Sequence, residues 1–354
     1  MKIAFVRRGF SPTGGAEAYL RRLAGGVAAE GHAPVLIGSR DWPEGAWPGE
    51  FVVRVDGRSP MRFAEDVERA RAGCDVIFSL ERILRCDIYR AGDGVHRAWL
   101  ERRAACEPAW RRWSRWLNGK HRELLRLEAC VFSPERTRIV IANSGMVRDE
   151  IVSDYGFPAE RIEVIANGYD APPVRPEARA ERRAELGIAP GAFVALFAGS
   201  GWDRKGLRMA VEAIRALPEA RLLVAGKGRP FAVPANVQFL GPRKDLQPDY
   251  AAADVFVLPT VYDPFSNACL EALAAGLPVL TTTANGFSEI ITDGVHGSVF
   301  PPNDAAAVVE AFRCWQSSSS GVADACRQLA ARYSVAENTR RTLEVVRTVN
   351  LSKR

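Results

Sequence analysis

Short apolar, β-rich runs alternate with segments of helical periodicity along almost the whole chain. This alternation predicts parallel sheets covered by helices on both faces. In the first half the runs are KIAFV, PVLIG, DVIFSL and RIVIAN, with a helix near 15–30 that places Leu20, Leu23, Ala24 and Val27 on one face. A second series opens after residue 190: FVALFAG, a helix near 205–217, ARLLVAG, NVQFLG, DVFVLPT, a helix near 265–275, and PVLTT. Residues 304–349 are helical by pattern, with a break at Ser317 to Ser320. The segment Ala171-Pro172-Pro173-Val174-Arg175-Pro176 between the two series reads as a stiff linker. The expected organisation is a domain over 1–170, a second over 171–335, and a final helix, 336–354, packing back on the first. Two such domains would leave a cleft between the carboxyl ends of their strands, where ligands bind in open α/β sheets.

A length of 354 residues suits two domains with ample cores. With 47% apolar and 25% charged residues, the composition excludes fibrous repeats, small disulfide scaffolds and disorder on a large scale. Seven cysteines without a C-x-x-C pair, most of them in apolar runs, predict reduced core cysteines of a cytoplasmic protein. The start MKIAFVRRGF has too short an apolar stretch for a secretory signal, and no run of about 18 apolar residues predicts a membrane span.

Charge changes this picture in one place. The formal net charge is +6, and residues 97–126 alone carry nine basic and three acidic side chains, so the rest of the chain is balanced. Nucleic acid, an anionic membrane face and phosphorylated substrates are the partner classes such a patch leaves open. If Pro108 opens a helix, Trp110, Trp113, Leu117, His121, Leu124 and Glu128 share one face. Trp110, Arg111, Arg112, Trp113, Arg115 and Trp116 together form an interfacial membrane pattern, with indoles at headgroup level and cations on anionic lipid. A core helix with a solvated charged face is the alternative. Nucleic-acid binding is disfavoured, because no helix-turn-helix, zinc knuckle or RNP motif accompanies the patch.

The segment Tyr262 to Val279, YDPFSNACLEALAAGLPV, carries the most chemistry. Asp263 precedes Pro264 as an N-cap precedes an N1 proline, so a cap alone accounts for it. Glu271 is different: it stands among Cys269, Leu270, Ala272 and Leu273, where an unpaired charge is costly. The two carboxylates would lie roughly 12 Å apart if helical throughout, at about 1.5 Å per residue, which suits two ends of an extended ligand rather than an acid/base pair. The helix N-terminus between them offers N–H groups to an anion such as a diphosphate.

Upstream, Gly199-Ser200-Gly201-Trp202-Asp203-Arg204-Lys205-Gly206 follows a strand. It lacks the Lys-Ser/Thr of a P-loop after its last glycine and the third glycine of a dinucleotide fingerprint. Glycines followed by two cations suit a diphosphate, although a solvated helix start explains either cation alone. Gly14-Gly15 opens the first helix and permits close backbone approach to phosphate or sugar. Asn143-Ser144 and Asn167-Gly168-Tyr169-Asp170 read locally as a helix cap and a turn. Asp93 and His96 follow a strand in a loop, where Asp93 is by local chemistry a turn residue, at a strand end that should face the cleft.

On these residues the chain resembles the retaining GT-B glycosyltransferases of family 4, whose signature is E-x₇-E followed by A-x-A-x-G-x-P-V. Here the first position is Asp263 instead of Glu, and Ser266 stands where the family usually has Gly. The resemblance implies the GT-B fold, two Rossmann-like, doubly wound parallel-sheet domains facing a cleft. It further implies that Asp263 touches sugar hydroxyls of a nucleotide-sugar donor, UDP-glucose by preference, that Glu271 holds the ribose, and that Arg204 and Lys205 stabilise the leaving diphosphate. Gly14, Gly15, Gly199, Phe265, Ser266 and Asn267 complete the implied donor site. The subgroup that glucosylates heptose in the lipopolysaccharide core has an Asp in a context like that of Asp93, which makes Asp93 the expected partner of the acceptor hydroxyl, ahead of His96. The acceptor is then a lipopolysaccharide-core or other lipid-linked glycan, and the enzyme is peripheral on the cytoplasmic side of the inner membrane. No D-x-D occurs in the sequence, so no metal and no cofactor is expected, and protein cations do that work. A sugar-nucleotide epimerase of the same architecture and a non-catalytic basic scaffold for lipid or RNA are the rival readings.

Overall fold

The computed structural model describes residues 1–10, 15–49, 51–105, 119–173, 175–318 and 321–351. The chain divides into two compact units, Met1–Ala166 with Ala336–Arg354, and Asn167–Val335.

The first unit holds a seven-stranded sheet in the order β3-β2-β1-β4-β5-β6-β7. Its strands are β1 (Lys2–Arg7), β2 (Ala33–Ser39), β3 (Phe51–Val55), β4 (Val76–Ser79), β5 (Cys86–Ala91), β6 (Thr137–Ala142) and β7 (Ile162–Val164), and every pairing is parallel. β4 and β5 are buried at every position, as strands covered on both faces must be. The helices of this unit are α1 (Gly15–Ala29), α2 (Pro60–Ala70), α3 (His96–Ala105), α4 (Gly119–Val131), α5 (Gly145–Tyr155) and the last helix of the chain, α13 (Val335–Leu351), all but whose first residue falls in this unit. α2 shows why such segments fold locally: Ser59 caps it by accepting from Arg62 N, Pro60 opens its first turn, and Phe63, Ala64 and Val67 are buried. Leu20, Leu23, Ala24 and Val27 of α1 form the predicted buried face. They join Ile3, Phe5, Leu36 and Phe78 in one core, which Leu343, Val346 and Val349 of α13 complete. Polar contacts hold α13 in the same place: Tyr19 Oη lies 3.1 Å from Thr342 Oγ1, and Asn338 Nδ2 donates to Ala166 O at 2.6 Å.

The second unit holds a six-stranded parallel sheet, β10-β9-β8-β11-β12-β13, made of β8 (Val194–Ala198), β9 (Arg221–Ala225), β10 (Val237–Gly241), β11 (Val255–Leu258), β12 (Val279–Thr282) and β13 (Gly297–Phe300). Its helices are α6 (Ala178–Glu185), the single turn α7 (Trp202–Lys205), α8 (Leu207–Arg215), α9 (Gln247–Ala252), α10 (Asn267–Ala275), α11 (Ala305–Ser318) and α12 (Ala323–Ala331). Both sheets run outward in both directions from their first strand, which creates a topological switch point between β1 and β4 and another between β8 and β11. These are the two parallel, doubly wound sheets of the GT-B fold.

Several expectations need correction. The chain passes between units at Ala166/Asn167 and Val335/Ala336, so the proline-rich segment lies inside the second unit, where Ala171, Pro172 and Pro173 line a pocket. The helical tail has a second break, at Arg332 to Ser334, because that stretch is pinned: Tyr333 O accepts from Tyr169 N at 2.9 Å. Of the six cysteines described, Cys86, Cys269 and Cys326 are buried, Cys74 and Cys130 are half-buried, and Cys314 is exposed on α11. Core placement therefore holds for half of them. Among the described residues no helix is long and apolar enough to cross a membrane.

Candidate active site

The second unit's switch point brings two of the singled-out segments together. After β8 the chain turns through Gly199 to Gly201, makes the one-turn helix α7, and reverses at Gly206. Only glycine fits there, with φ +77° and Pro259 O a mere 1.9 Å from where a Cβ would stand. After β11 the chain continues through Thr260, Val261 and Tyr262 to Asp263. The two segments are stapled at several points. Arg204 O accepts from Val261 N at 3.0 Å and from Thr260 Oγ1 at 2.8 Å, and Arg204 Nη1 donates to Tyr262 O at 3.0 Å. Lys205 Nζ bonds directly to Asp263 Oδ2, with both side chains largely removed from solvent. An ion pair so placed sets one carboxylate and two cations at the sheet's switch point.

Asp263 is not the helix cap. α10 begins four residues later, its N-cap is Ser266, and the Ser266 side chain makes no capping bond. Because positions 263–266 are loop, the helical spacing of roughly 12 Å between the carboxylates does not apply. Asp263 is instead held by the main chain: its N–H donates to Ala284 O and its carbonyl accepts from Gly286 N, both at 2.9 Å. Asn285 secures the same loop from within the core. Its Oδ1 accepts from Ser266 N (3.3 Å) and Phe287 N (3.1 Å), while Nδ2 donates to Thr281 Oγ1 at 2.9 Å. Phe265 is buried against Phe287, and Asn267 Oδ1 accepts from Asn167 Nδ2 at 2.6 Å.

Glu271 lies one and a half turns into α10, on the wall of a cavity of about 840 Å³ that Tyr169, Pro172, Arg243, Lys244 and Gln247 also line. Burial pushes its carboxyl above the ordinary range, and a hydrogen bond from Tyr250 Oη at 3.1 Å opposes that rise. The motif at 167–170 reaches the same wall for a structural reason. Gly168 leaves 2.4 Å between its would-be Cβ and Ser334 O, and Asp170 Oδ1 accepts from Val335 N at 3.0 Å.

In the first unit, Asp93 sits exposed in the turn after β5 and makes no ion pair among the described residues. His96 is tied down: its Nε2 lies 3.0 Å from His121 Nδ1, its ring stacks on Trp99, and burial beside Arg82 lowers its pKa to about 4. It is therefore neutral at physiological pH. The loop between them is anchored by Glu128, a fully buried carboxylate that accepts from His96 N (2.6 Å), Arg97 N (3.0 Å), Arg82 Nε (3.0 Å) and Tyr155 Oη (2.7 Å). Arg82 Nη2 in turn donates to Gly94 O at 2.8 Å, and Asn143 Nδ2 to Gly92 O at 3.1 Å. Ser144 is the cap of α5, as its local reading predicts. Glu128 and His121 belong to the face predicted for the Trp-rich helix, and in the turns described that face packs inward while Arg122 and Arg126 are exposed. Trp110, Arg111, Arg112, Trp113, Arg115, Trp116 and Gly14 lie outside the described residues, and Gly15 is the first residue of α1.

Sequence reasoning missed Thr260, Tyr250, Asn285, Arg82 and Glu128. For Asn285 a signal existed: Thr281, Thr282, Thr283 and Asn285 form a polar tail directly after an apolar strand.

Two family models match the chain, Glycosyltransferase Family 4 over residues 13–171 and Glycosyl transferases group 1 over 192–316. The chain is similar to the lipopolysaccharide glucosyltransferase WaaG of Escherichia coli (strain K12), 27% identical over 329 residues that cover 84% of this chain and 85% of the relative. It also resembles D-inositol 3-phosphate glycosyltransferase of Mycobacterium sp. (strain KMS), 32% identical over 182 residues, 47% of this chain and 42% of that one. Among solved structures, WaaG superposes with a TM-score of 0.79 at 24% identity, covering 97% of this chain and 99% of that one. Anabaena HepE in complex with UDP-glucose gives 0.76 at 19% identity, covering 98% and 100%.

Proposed function

Because the chain is a glycosyltransferase of GT-B type, we propose that it moves a hexose, glucose from UDP-glucose, onto a lipopolysaccharide-core or other lipid-linked glycan with retention of configuration and without a bound metal. The observation that carries this reading is the switch-point cluster of the second unit, where Lys205 pairs with Asp263 and Arg204 holds the carbonyl of the preceding Tyr262. Two cations against one carboxylate leave positive charge for a diphosphate, which protein cations can stabilise as it departs. Glu271, on the wall of its cavity, would accept hydrogen bonds from ribose hydroxyls, and Asp263 would orient the sugar. The anomeric bond to the diphosphate oxygen breaks, the acceptor oxygen bonds on the same face, and the acceptor's proton is taken or oriented by Asp93. The similarity to a lipopolysaccharide glucosyltransferase along most of the chain supports the acceptor class, and the Anabaena relative in complex with UDP-glucose supports the donor. The basic segment 97–126, whose described residues Arg97, Lys120, Arg122 and Arg126 are exposed, would hold the enzyme on an anionic membrane surface next to such an acceptor.

The test is thermal stabilisation by UDP, GDP and ADP, with and without EDTA. UDP should raise the melting temperature most, by an amount EDTA does not alter. Stabilisation by another nucleotide alone would overturn the donor, and loss with EDTA would overturn the metal-free step. UDP-glucose incubated without acceptor should be slowly hydrolysed; isomerisation would instead favour an epimerase.

A further inference from the structure

Tyr250 stands on α9 with 1% of its surface exposed, and its ring packs on Phe256. A phenol so buried needs an acceptor, and two are in reach: Glu271 Oε2 at 3.1 Å and Ala268 O at 3.3 Å, both on α10. One proton serves both, and the carboxylate is the stronger acceptor. No other hydrogen bond to the Glu271 carboxylate is present among the described residues. We propose that Tyr250 is a positioning residue for the donor, holding Glu271 by one oxygen so that the other is presented to a ribose. The inference rests on the reading of Glu271 as the ribose partner.

The surroundings make the bond matter for charge as well as direction. Burial raises the Glu271 carboxyl, and the Tyr250 hydroxyl is what draws it back down. The other groups facing this pocket do not replace it. Tyr169 comes from the segment before Ala171, and its hydroxyl accepts from Gln247 Nε2 at 2.9 Å. Arg243 lies 3.6 Å from Asp249, itself buried and held by Arg182, while Lys244 and Arg175 line the outer wall beside Asp245. Without the phenol, Glu271 would be free to turn and would take up a proton at higher pH, and a protonated carboxyl accepts less well from a diol.

The experiment is calorimetric binding of UDP and of 2′,3′-dideoxy-UDP to wild type, Tyr250→Phe and Glu271→Gln at several pH values between about 5 and 8. The wild type should bind UDP more tightly than the dideoxy ligand, with UDP affinity falling on the acid side. Tyr250→Phe should weaken UDP about tenfold, the worth of a hydrogen bond to a charged group, and move the acid fall to higher pH. Affinity for dideoxy-UDP should stay within about twofold, and in turnover the loss should fall on the KM for donor more than on kcat. Equal weakening of both ligands, or an unmoved acid limb, would reduce Tyr250 to a packing residue. If wild type discriminates neither between the two ligands nor from Glu271→Gln, the ribose role of Glu271 fails first. Should phenylalanine not fold at this site, Tyr250→Met removes the hydroxyl in a more adaptable side chain and serves the same comparison.

Discussion

Both sheets place an ion pair at their switch point, yet the two pairs differ in composition. In the first unit Arg7, at the end of β1, is shared between Glu81 (3.0 Å) after β4 and Glu17 (3.3 Å) in the first turn of α1, and Glu81 also accepts from Arg8 N. One guanidinium faces two carboxylates. In the second unit one carboxylate, Asp263, pairs with Lys205, while the adjacent Arg204 binds a carbonyl, that of Tyr262. The topology is shared, so the difference lies in the side chains alone, and it sorts substrates by charge. A surplus cation suits a diphosphate, whereas a surplus carboxylate repels one and suits neutral hydroxyls. On the proposed reading, this difference favours the diphosphate at the second switch point.

Removing the cation of the second pair should have the largest effect. Lys205→Ala is expected to lower kcat/KM by about 10²–10³, the range for deleting one preorganised electrostatic partner. It also strands a buried Asp263, so stability should fall too. The double variant Lys205→Ala with Asp263→Asn removes that stranded charge, and should recover melting temperature without recovering transfer. Arg7→Gln in the first unit is the contrasting variant: UDP affinity should stay within about twofold even where the unit is less stable. If Arg7→Gln weakened UDP as much as Lys205→Ala does, the division of labour between the switch points would be wrong.

A smaller effect is expected from Asp93. As a group that takes or orients the acceptor proton, Asp93→Ala should depress transfer by about 10²-fold with UDP-glucose affinity unchanged, at the low end of general-base contributions. His96→Ala sharpens the assignment. With its ring bonded to His121 and its pKa lowered to about 4 by burial, His96 stays neutral across the working range and is a weak base. Its loss should matter less than that of Asp93, and the reverse order would move the acceptor contact to the imidazole.

How much of this the sequence reveals depends on what kind of signal a residue leaves. Strands and helices follow from apolar periodicity, and the face of α1 is buried as that periodicity requires. The glycines and paired cations of 199–206 stand out in the sequence, and the structure brings that turn to Asp263. Glu271 is conspicuous because a carboxylate on an apolar stripe is costly, and the same rule applied to Glu128, another stripe member, points to a buried anchor. Thr260 and Tyr250 leave no such mark, and Asn285 leaves only the polar run in which it stands. Their roles arise from bonds across 16 to 56 residues of sequence, as between Thr260 and Arg204 or Asn285 and Ser266, and local chemistry carries no record of a partner that only the sheet order brings near. The proline-rich segment misleads for a related reason: prolines report stiffness, and stiffness serves a pocket wall as well as a joint.

The smallest expected effect concerns stability, and it separates the two units once more. Burial holds the Glu271 carboxyl above its ordinary value, so the folded second unit binds this proton more tightly than the unfolded chain does. Stability then falls as pH rises from the unfolded carboxyl value, about 4.3, through the higher folded one, and the cost of the ionised group is fully present above it. Glu271→Gln removes that cost and, on the proposed reading, the ribose partner with it. The ligand-free variant should therefore melt higher than wild type at neutral pH. The gap should close as pH falls towards the unfolded value, and added UDP should reverse the order by stabilising wild type alone. No such trade is expected of Glu128, whose carboxylate is satisfied by four donors. Glu128→Gln keeps the side chain's shape but leaves Arg82 without its counter-charge, and should lower the melting temperature at neutral pH. A Glu271→Gln variant that melted lower than wild type in the absence of ligand would mean that the carboxylate stabilises the fold, and that its burial reflects structure more than donor binding.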